Sequence, residues 1–447
     1  MPHARVEFHL AFGVENGKIF LGAFPILGEA GQDIYPKLCP SAIRWKRLNS
    51  TTLQLSDFER ELTRNILPFW QQHTPDPLNG GFYGALSNDL TIHDEVPRSS
   101  ILCARILWSF SAAYRRFGKN AYLKMADYAY EYLTGTFWDN QYEGIYWNVD
   151  LHGQPVMARK HHYAQAFAIY SLSEYYLASG KKESLVYAQK LFRLLEKHAR
   201  EPQYGGYIEG SRRDWGTLED MRLSDKDMNC RKSMNTLLHM LEAYTGLARV
   251  WPDPAVKNSL KELLETFMAH VIDPHSGHLR LFFDDQWHSL SDTISFGHDI
   301  ECSWLLWEAA EVLGDAELSA RVHAAALQMA EAVYADGRDT DGSLFQELSP
   351  QGINAVDKEW WSQAEGVVGF YNAYQLSGSE KFLHAAEDCW RYIRKKMIDP
   401  QYGDWIKRIR PDGSVNNDSY KVGPWECPYH HVRLCLEVMA RLEAQPA

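Results

Sequence analysis

The stretch Asp76-Pro-Leu-Asn-Gly-Gly-Phe-Tyr83 is the first of six short segments that decide the fold of this chain. Each segment joins an acidic residue to a glycine-containing turn and then to a residue that favours β structure. Such turns form because proline fixes φ and glycine tolerates positive φ. The other five segments are Asp139-Asn-Gln-Tyr-Glu-Gly-Ile-Tyr-Trp147, Glu201-Pro-Gln-Tyr-Gly-Gly-Tyr207, Asp273-Pro-His-Ser-Gly-His-Leu279, Asp339-Thr-Asp-Gly-Ser-Leu-Phe345 and Asp399-Pro-Gln-Tyr-Gly-Asp-Trp405.

The six segments recur at nearly even spacing, which indicates an internal repeat. Their glycines are 63, 62, 71, 65 and 61 residues apart, at Gly81, Gly144, Gly206, Gly277, Gly342 and Gly403. Between consecutive turns, two stretches show the 3.6-residue apolar period of helices. The pattern predicts helices near 54–73, 98–117, 120–136, 160–179, 183–199, 228–250, 255–272, 297–313, 316–335, 357–377, 379–397 and 428–442.

Twelve helices in six pairs predict an all-α fold, with one short β-hairpin for each pair. The repeat unit is longer than that of common solenoids, so an open superhelix is one possibility and a closed (α/α)6 barrel is the other. We expect the closed barrel, with an inner and an outer ring of alternating helices. We predict one catalytic domain over residues 51–447. Residues 1–50 match no repeat unit, and we interpret them as an N-terminal extension.

Composition excludes several classes of protein. The 447 residues are 45% hydrophobic and 13% aromatic, which is enough for a large core and too much for a disordered chain. The net charge of −12 argues against nucleic acid or an anionic membrane as partner. Seven scattered cysteines without a CxxC pair, and an N-terminus without a signal-like apolar run, favour a reduced, cytoplasmic protein.

Unusual polar residues fall on alternate helices, which a closed barrel would bring to one centre. Helix 98–117 carries Arg98 and Arg105 on one face, whereas the intervening helices carry mostly solvated charges. A lone helical histidine is more often structural, but three on helices of the same class favour function. The candidates are Asp227, Asn235 and His239, then His298 and Glu301, then Trp360, Trp361 and Glu365, and finally Trp425 and His430 or His431, of which one should face inward.

Longer strings on these helices resemble the N-acylglucosamine 2-epimerase superfamily, most closely its cellobiose 2-epimerase branch. The resemblance covers about residues 54–442 and implies an (α/α)6 barrel. It is carried by Arg105-Ile-Leu-Trp108, Tyr163-Ala-Gln-Ala-Phe-Ala168, Asn235-Thr-Leu-Leu-His239, Gly297-His-Asp-Ile-Glu-Cys-Ser-Trp304, Lys358-Glu-Trp-Trp-Ser-Gln-Ala-Glu365 and Gly423-Pro-Trp-Glu-Cys-Pro-Tyr-His430.

The resemblance also implies roles for individual residues. His298 and His430 correspond to the acid/base pair that moves the proton at C2 of a sugar, and His239 to a histidine that assists ring opening. Arg105 corresponds to the arginine that holds the developing oxyanion. The resemblance implies no metal or nucleotide cofactor. The implied sugar-contacting set is Asn235, Glu301, Asp227, Tyr146, Trp361 and Trp425, to which Trp360 and Glu365 are added from their helix.

The chemistry explains why these residue types suit a sugar epimerase. Histidine titrates near neutrality and can both remove and return a proton, and arginine stabilises an enediolate oxygen. We therefore predict C2 epimerisation of the reducing-end glucose of β-1,4-disaccharides, by a monomer or weak homodimer. The alternatives are a mannose 2-epimerase, a mannose–fructose isomerase, a glycoside hydrolase using two carboxylates, or a non-catalytic scaffold. Zinc held by the three histidines is a further, less favoured alternative.

Overall fold

The computed structural model describes residues 12–15, 18–21, 51–225, 227–354 and 357–444. The chain divides into two compact units, Met1–Lys37 and Leu38–Ala447. In the first unit, strands β1 (Phe12–Glu15) and β2 (Lys18–Leu21) form an antiparallel hairpin. The rest of the predicted extension over 1–50, including its boundary with the barrel, lies outside the described residues.

The described part of the second unit contains thirteen α-helices, and they match the twelve predicted helices closely. A π-helical turn, Leu62–Ile66, joins the first two into one rod, and similar turns extend the eighth, tenth and twelfth. The helices are α1 (Leu55–Glu61), α2 (Leu67–His73), α3 (Ser100–Phe117), α4 (Asn120–Gly135), α5 (His162–Ser179), α6 (Lys182–His198), α7 (Met234–Val250), α8 (Pro254–Thr266), α9 (Phe296–Leu313), α10 (Ala316–Ala332), α11 (Trp360–Ser377), α12 (Glu380–Tyr392) and α13 (Tyr429–Glu443).

The helices form a closed (α/α)6 barrel, as predicted. Helices α3, α5, α7, α9, α11 and α13 pack in sequence, and α13 returns to α3 to close the inner ring. The other helices lie outside, where α1, α4, α6, α8, α10 and α12 each pack against an inner neighbour. Outer helices bury a single stripe, such as Ala188, Leu191 and Leu195 of α6, whereas inner helices are buried almost all round.

The six turn segments have the structure that their sequences predict. All six marker glycines adopt positive φ, between 67° at Gly81 and 91° at Gly342. The acidic residue that begins each segment stabilises the turn, because its carboxylate accepts hydrogen bonds from the turn amides. In one turn, Asp139 Oδ1 accepts a hydrogen bond from the Gln141 amide at 3.0 Å. Each turn is closed by an antiparallel bridge: Pro75–Phe82, Trp138–Ile145, Arg200–Tyr207, Ile272–Leu279, Arg338–Leu344 and Ile398–Trp405.

Short strands link neighbouring repeat units at the end of the barrel where the inner helices begin. Two-residue strands precede five inner helices, and each pairs with a strand from the following unit; a bridge between Leu86 and Val422 joins the first unit to the last. The strands are β3 (Arg98–Ser99), β4 (Asn148–Val149), β5 (Pro155–Met157), β6 (Lys160–His161), β7 (Gly210–Ser211), β8 (Lys232–Ser233), β9 (Phe282–Phe283), β10 (Ile294–Ser295), β11 (Glu347–Ser349), β12 (Gly352–Asn354), β13 (Lys358–Glu359) and β14 (Arg408–Ile409).

These strands correct several predicted helix starts. The helix expected from residue 228 begins at Met234, and the one expected from 357 begins at Trp360. The two residues directly before each of these helices are extended because their backbone groups pair with the neighbouring unit, as β8 does with β9 and β13 with β14. No helix in the described ranges is long and apolar enough to cross a membrane.

Candidate active site

A cavity of about 610 Å³ opens at the end of the barrel where the inner helices begin. The repeat brings equivalent positions to one level, because the sixth residue of α3, α7, α9 and α11 is Arg105, His239, Glu301 and Glu365 respectively. Ten of the twelve predicted site residues line the cavity: Arg105, Asp227, Asn235, His239, His298, Glu301, Trp360, Trp361, Trp425 and His430.

His298 presents a neutral imidazole to the cavity from the first turn of α9. Its Nδ1 lies 2.7 Å from the hydroxyl oxygen of Ser295, which leaves Nε2 for a ligand. Burial, together with the nearby His239 and Arg105, lowers the pKa of His298 to about 3. The ring is therefore unprotonated at neutral pH and can accept a proton.

His430 occupies the corresponding position at the start of α13, with a different partner. Its Nδ1 lies 2.7 Å from Oε1 of Glu365, and its pKa is well below the usual value because of burial and the nearby Arg105 and Arg433. Trp361 packs against both catalytic candidates, with its ring centroid 4.7 Å from that of His298 and 5.6 Å from that of His430. The two imidazoles thus flank one indole.

The next residue along the chain, His431, faces away from the cavity. Its Nε2 lies 2.7 Å from Oδ1 of Asp404, and its ring stacks on Trp405 at 5.1 Å. The geometry therefore selects His430 as the inward histidine of the pair, which the sequence left open.

His239 and Arg105 lie side by side on the opposite wall. Nδ1 of His239 lies 3.0 Å from Oε2 of Glu242, and burial lowers the pKa of His239 to about 3. Arg105 donates to the Tyr163 hydroxyl at 2.8 Å and lies 4.3 Å from the ring centroid of Phe167. Among the described residues no carboxylate lies within 4 Å of its guanidinium nitrogens, so the positive charge is available to an oxyanion.

Two buried acceptors, on residues that line the cavity, have no partner among the described residues. Oε2 of Glu301, a residue only 1% exposed, and Oδ1 of Asn235 accept no hydrogen bond in the described part of the chain. Buried acceptors normally have partners, so these two atoms indicate where ligand hydroxyls donate. Trp361 and Trp425 supply flat apolar faces beside them.

Two predicted contacts are corrected by the structure. Tyr146 does not line the cavity, because its hydroxyl accepts from Arg213 at 2.9 Å and the Lys160 ammonium lies 4.6 Å from its ring centroid. Glu365 also lies behind the lining, where it holds His430. Arg98, considered with Arg105 as an inner-face cation, instead pairs with Asp76 in the first turn.

Sequence reasoning missed Arg433, which organises the base of the cavity. Its guanidinium donates to Glu242, Glu301 and Glu365 and is almost completely buried. The spacing in the sequence could have indicated its role, since Arg433 follows His430 by three residues, just as Glu242 follows His239. Residues three apart lie on one helix face.

Three groups at the base of the cavity lie close enough together to hold a metal ion. Glu301, Glu365 and His430 offer ligand atoms within 4.8 Å of one another, the one such cluster in the described ranges. Both carboxylates already accept hydrogen bonds from Arg433. The donor set therefore fits a guanidinium, and its charge is balanced in part without a metal ion.

The mouth of the cavity is rich in carboxylates. Arg408 is the cation there and pairs with Glu359 at 2.7 Å. An anionic ligand would be repelled by this lining, whereas a neutral one would find hydrogen-bond acceptors. The carboxylates are Asp225, Asp227, Glu347, Asp357, Glu359 and Glu426.

A closed barrel brings three neutral histidines, tryptophan faces and an arginine with no carboxylate partner among the described residues to one cavity. Residues 81–433 match the profile of the family described as N-acylglucosamine 2-epimerase (GlcNAc 2-epimerase). The chain belongs to the N-acylglucosamine 2-epimerase family.

Individual relatives agree with this assignment. The chain is 43% identical to a cellobiose 2-epimerase of Bacteroides fragilis over 86% of this chain and 98% of that protein. The solved structure of cellobiose 2-epimerase from Bacillus thermoamylovorans superimposes with a TM-score of 0.83 at 40% identity, covering 87% of this chain and 99% of that one. A D-mannose isomerase structure shares the fold, with a TM-score of 0.75 at 21% identity over 86% of this chain and 97% of that one.

Proposed function

We propose that this protein reversibly epimerises C2 of the reducing-end glucose in β-1,4-linked disaccharides such as cellobiose and lactose. The observation that carries this proposal is the pair of neutral imidazoles, His298 and His430, on either side of Trp361 and close to the unpaired Arg105. The similarity to cellobiose 2-epimerases supports the choice of substrate.

The first step opens the sugar ring, because only the aldehyde form has an acidic hydrogen at C2. His239 takes the proton of the anomeric hydroxyl, the C1–O5 bond breaks, and the proton is delivered to O5. Glu242 accepts from Nδ1 of His239 in this arrangement, which leaves Nε2 as the base.

The second step inverts C2 through a planar intermediate. One of His298 and His430 removes the C2 proton, and the electron pair moves to the carbonyl oxygen to give a cis-enediolate. Arg105 stabilises the negative oxygen with its positive charge. In the described ranges no carboxylate lies within 4 Å of this guanidinium, so its charge is not neutralised by the protein. The first imidazole releases its proton to solvent while the other takes one up, and the second then delivers this proton to the opposite face of C2 and gives the mannose configuration.

Cavity size and charge favour a neutral disaccharide. A volume of about 610 Å³ lies within the range of about 300–1,000 Å³ of pockets that hold drug-sized ligands. The carboxylate-rich mouth disfavours sugar phosphates and uronic acids. We further propose a cytoplasmic, cofactor-independent enzyme that is a monomer or weak homodimer. The compartment is supported by the six described cysteines, which are all buried and unpaired.

Incubation with cellobiose in D₂O tests the proposal. We expect 4-O-glucosyl-mannose that carries deuterium at C2, detected by product chromatography and proton NMR. Glucosyl-fructose as the main product would instead identify an aldose–ketose isomerase, since reprotonation of the same enediolate at C1 gives a ketose. Release of free glucose would identify a hydrolase, and the absence of any deuterated epimer would contradict the proposal.

A further inference from the structure

Arg433 lies beneath the cavity and contacts a group on three other inner helices. Its Nη1 donates to Oε1 of Glu242 on α7, and its Nη2 donates to Oε1 of Glu301 on α9 and to Oε1 of Glu365 on α11, the last at 2.6 Å. Nη1 also donates to the hydroxyl of Tyr429, one turn earlier on α13. One planar guanidinium therefore fixes the relative positions of four helices.

Each of the three carboxylates leads to a group that faces the cavity. Glu242 uses its second oxygen to hold Nδ1 of His239 at 3.0 Å. Glu365 holds Nδ1 of His430 at 2.7 Å through the oxygen that Arg433 binds. The second oxygen of Glu301 is buried and has no hydrogen-bond partner in the part of the chain that the structure describes.

The carboxylates around Arg433 outnumber the positive charges, so their ionisation depends on this one guanidinium. Three carboxylates share one arginine, and all four side chains are about 1% exposed. Burial raises the pKa of Glu242 and of Glu365, and the positive charge of Arg433 opposes the rise in both. Without the guanidinium the carboxylates would retain protons to a higher pH.

We propose that Arg433 is a positioning residue, which sets the orientation and tautomer of His239 and His430 through Glu242 and Glu365. When Arg433 keeps Glu365 ionised, Glu365 accepts from Nδ1–H of His430 and leaves Nε2 as a base. Protonated Glu365 would donate to Nδ1 and leave Nε2–H, which cannot remove a proton. The inference rests on the proposed function, and it adds a residue that itself touches no substrate.

The pH dependence of this centre depends on the charged and titratable groups described around Arg433. The groups that face Arg433 from the packed elements are Arg105 on α3, Tyr170 on α5, Glu242 and His239 on α7, Glu301 on α9, Glu365 on α11, and Tyr429, His430 and Glu437 on its own helix. Of these, Arg105 is the other cation close to both histidines, so removing the charge of Arg433 leaves the carboxylates poorly neutralised.

Two substitutions separate geometry from charge. Arg433→Lys keeps the charge but loses the planar fork, so kcat on cellobiose should fall about 100-fold with little change in KM or in the pH profile. Arg433→Gln loses both, so kcat should fall further and the acid limb of the pH profile should move to higher pH. Addition of guanidinium ions to Arg433→Ala should restore part of the activity.

Arg441→Gln is the matched control. Arg441 lies eight residues further along the same helix and donates to the amide oxygens of Asn372 and Gln375, each at 2.9 Å, away from the histidines. We expect its kcat and pH profile to equal those of the wild type, whatever its thermal midpoint. Loss of activity in Arg441→Gln equal to that in Arg433→Gln would overturn the proposal, because the effect would then be one of general packing.

The tautomers of His239 and His430 can also be measured directly. This measurement tests the proposal even if Arg433 variants fold poorly or the wild type is inactive on cellobiose. The tautomers of His239 and His430 can be read from ¹⁵N chemical shifts of ¹⁵N-histidine-labelled protein, using Glu242→Gln and Glu365→Gln as well as the Arg433 variants. We expect changed tautomers in all of these and unchanged ones in Arg441→Gln. Wild-type tautomers in folded Glu242→Gln and Glu365→Gln would overturn the proposal independently of the substrate.

Discussion

Ion pairs differ between two regions of this molecule, the six turns and the base of the cavity. In the six turns, each leading acid has a cation of its own in addition to the turn amides. At the base of the cavity, by contrast, Arg433 is shared by three carboxylates and Arg105 pairs with none of those described. The turn pairs are Asp76–Arg98, Asp139–Lys160, Glu201–Lys232, Asp273–Arg280, Asp339–Lys358 and Asp399–Lys421.

The difference in pairing explains the difference in acidity. Burial alone would raise the pKa of Asp139, but hydrogen bonds from Arg213 and Lys160 hold it below the usual range. At the centre, burial raises the pKa of Glu365, and one shared guanidinium opposes this only in part. Complete pairing gives a fixed ion that holds structure, whereas incomplete pairing leaves protons and acceptors that a reaction can use.

The largest expected effect is that of replacing one of two adjacent histidines. His430 lines the cavity, whereas His431 contacts Asp404 of the sixth turn. His430→Asn should lower kcat on cellobiose by about 10²- to 10⁴-fold, because it removes an acid/base group, with little loss of thermal stability. His431→Asn should keep kcat but lose about 1–3 kcal/mol of unfolding free energy, because Asp404 loses a buried partner. Near-normal turnover by His430→Asn would reverse the assignment of the two residues.

The next effect should be on stability alone. Asp139→Asn leaves Lys160, which is completely buried, without its carboxylate partner. Breaking such a pair costs about 3–5 kcal/mol, which urea unfolding would detect as a lower midpoint. The folded fraction should keep its kcat, because this turn lies outside the cavity lining. An unchanged midpoint would show that the turn pairs contribute nothing to stability.

The sequence predicted the barrel well because its signals are local. A turn such as Asp399–Trp405 and the apolar period of each helix depend on neighbouring residues, and their repetition fixed the number of units. The inward histidines were also predictable, since helices of one class repeat every second element. Here the resemblance to a known family added the roles of His298, His430 and Arg105, which stay proposals.

What the sequence did not predict depends on contacts between distant residues. Arg433 lies 191 residues from Glu242 and 132 from Glu301, so no local pattern joins them. Tyr146 was expected to touch the sugar but faces Lys160, which is fixed by the turn acid of its own unit. The start of α7 was placed six residues too early because β8 is extended only through its pairing with the next unit.

A further effect on stability should separate the two regions by pH. Burial holds the pKa of His239 and of His298 near 3, so the unfolded chain binds protons there below about pH 6.5 while the folded chain does not. Each of these histidines should therefore lower stability by about 1.4 kcal/mol per pH unit as pH falls from about 6.5 to about 4. The turn acids should lose their contribution only at lower pH, because their folded pKa is depressed, as at Asp139.

Urea unfolding at several pH values measures this slope. His239→Asn removes one titrating group, so its stability should depend less steeply on pH between 4 and 6.5 than that of the wild type. Asp139→Asn should keep the wild-type slope in that range. Equal slopes for His239→Asn and the wild type would show that this histidine is not held neutral in the folded protein.

The smallest expected effect is that of removing metal ions. Glu301, Glu365 and His430 have the spacing of a metal site, but both carboxylates accept hydrogen bonds from Arg433. A divalent ion would have to displace the guanidinium or lie beside it against its repulsion. Dialysis against EDTA should therefore leave kcat and the thermal midpoint unchanged. Loss of activity that a single metal restores would show that the centre is completed by a metal ion, and that the contrast between fully paired turns and an underpaired centre is wrong.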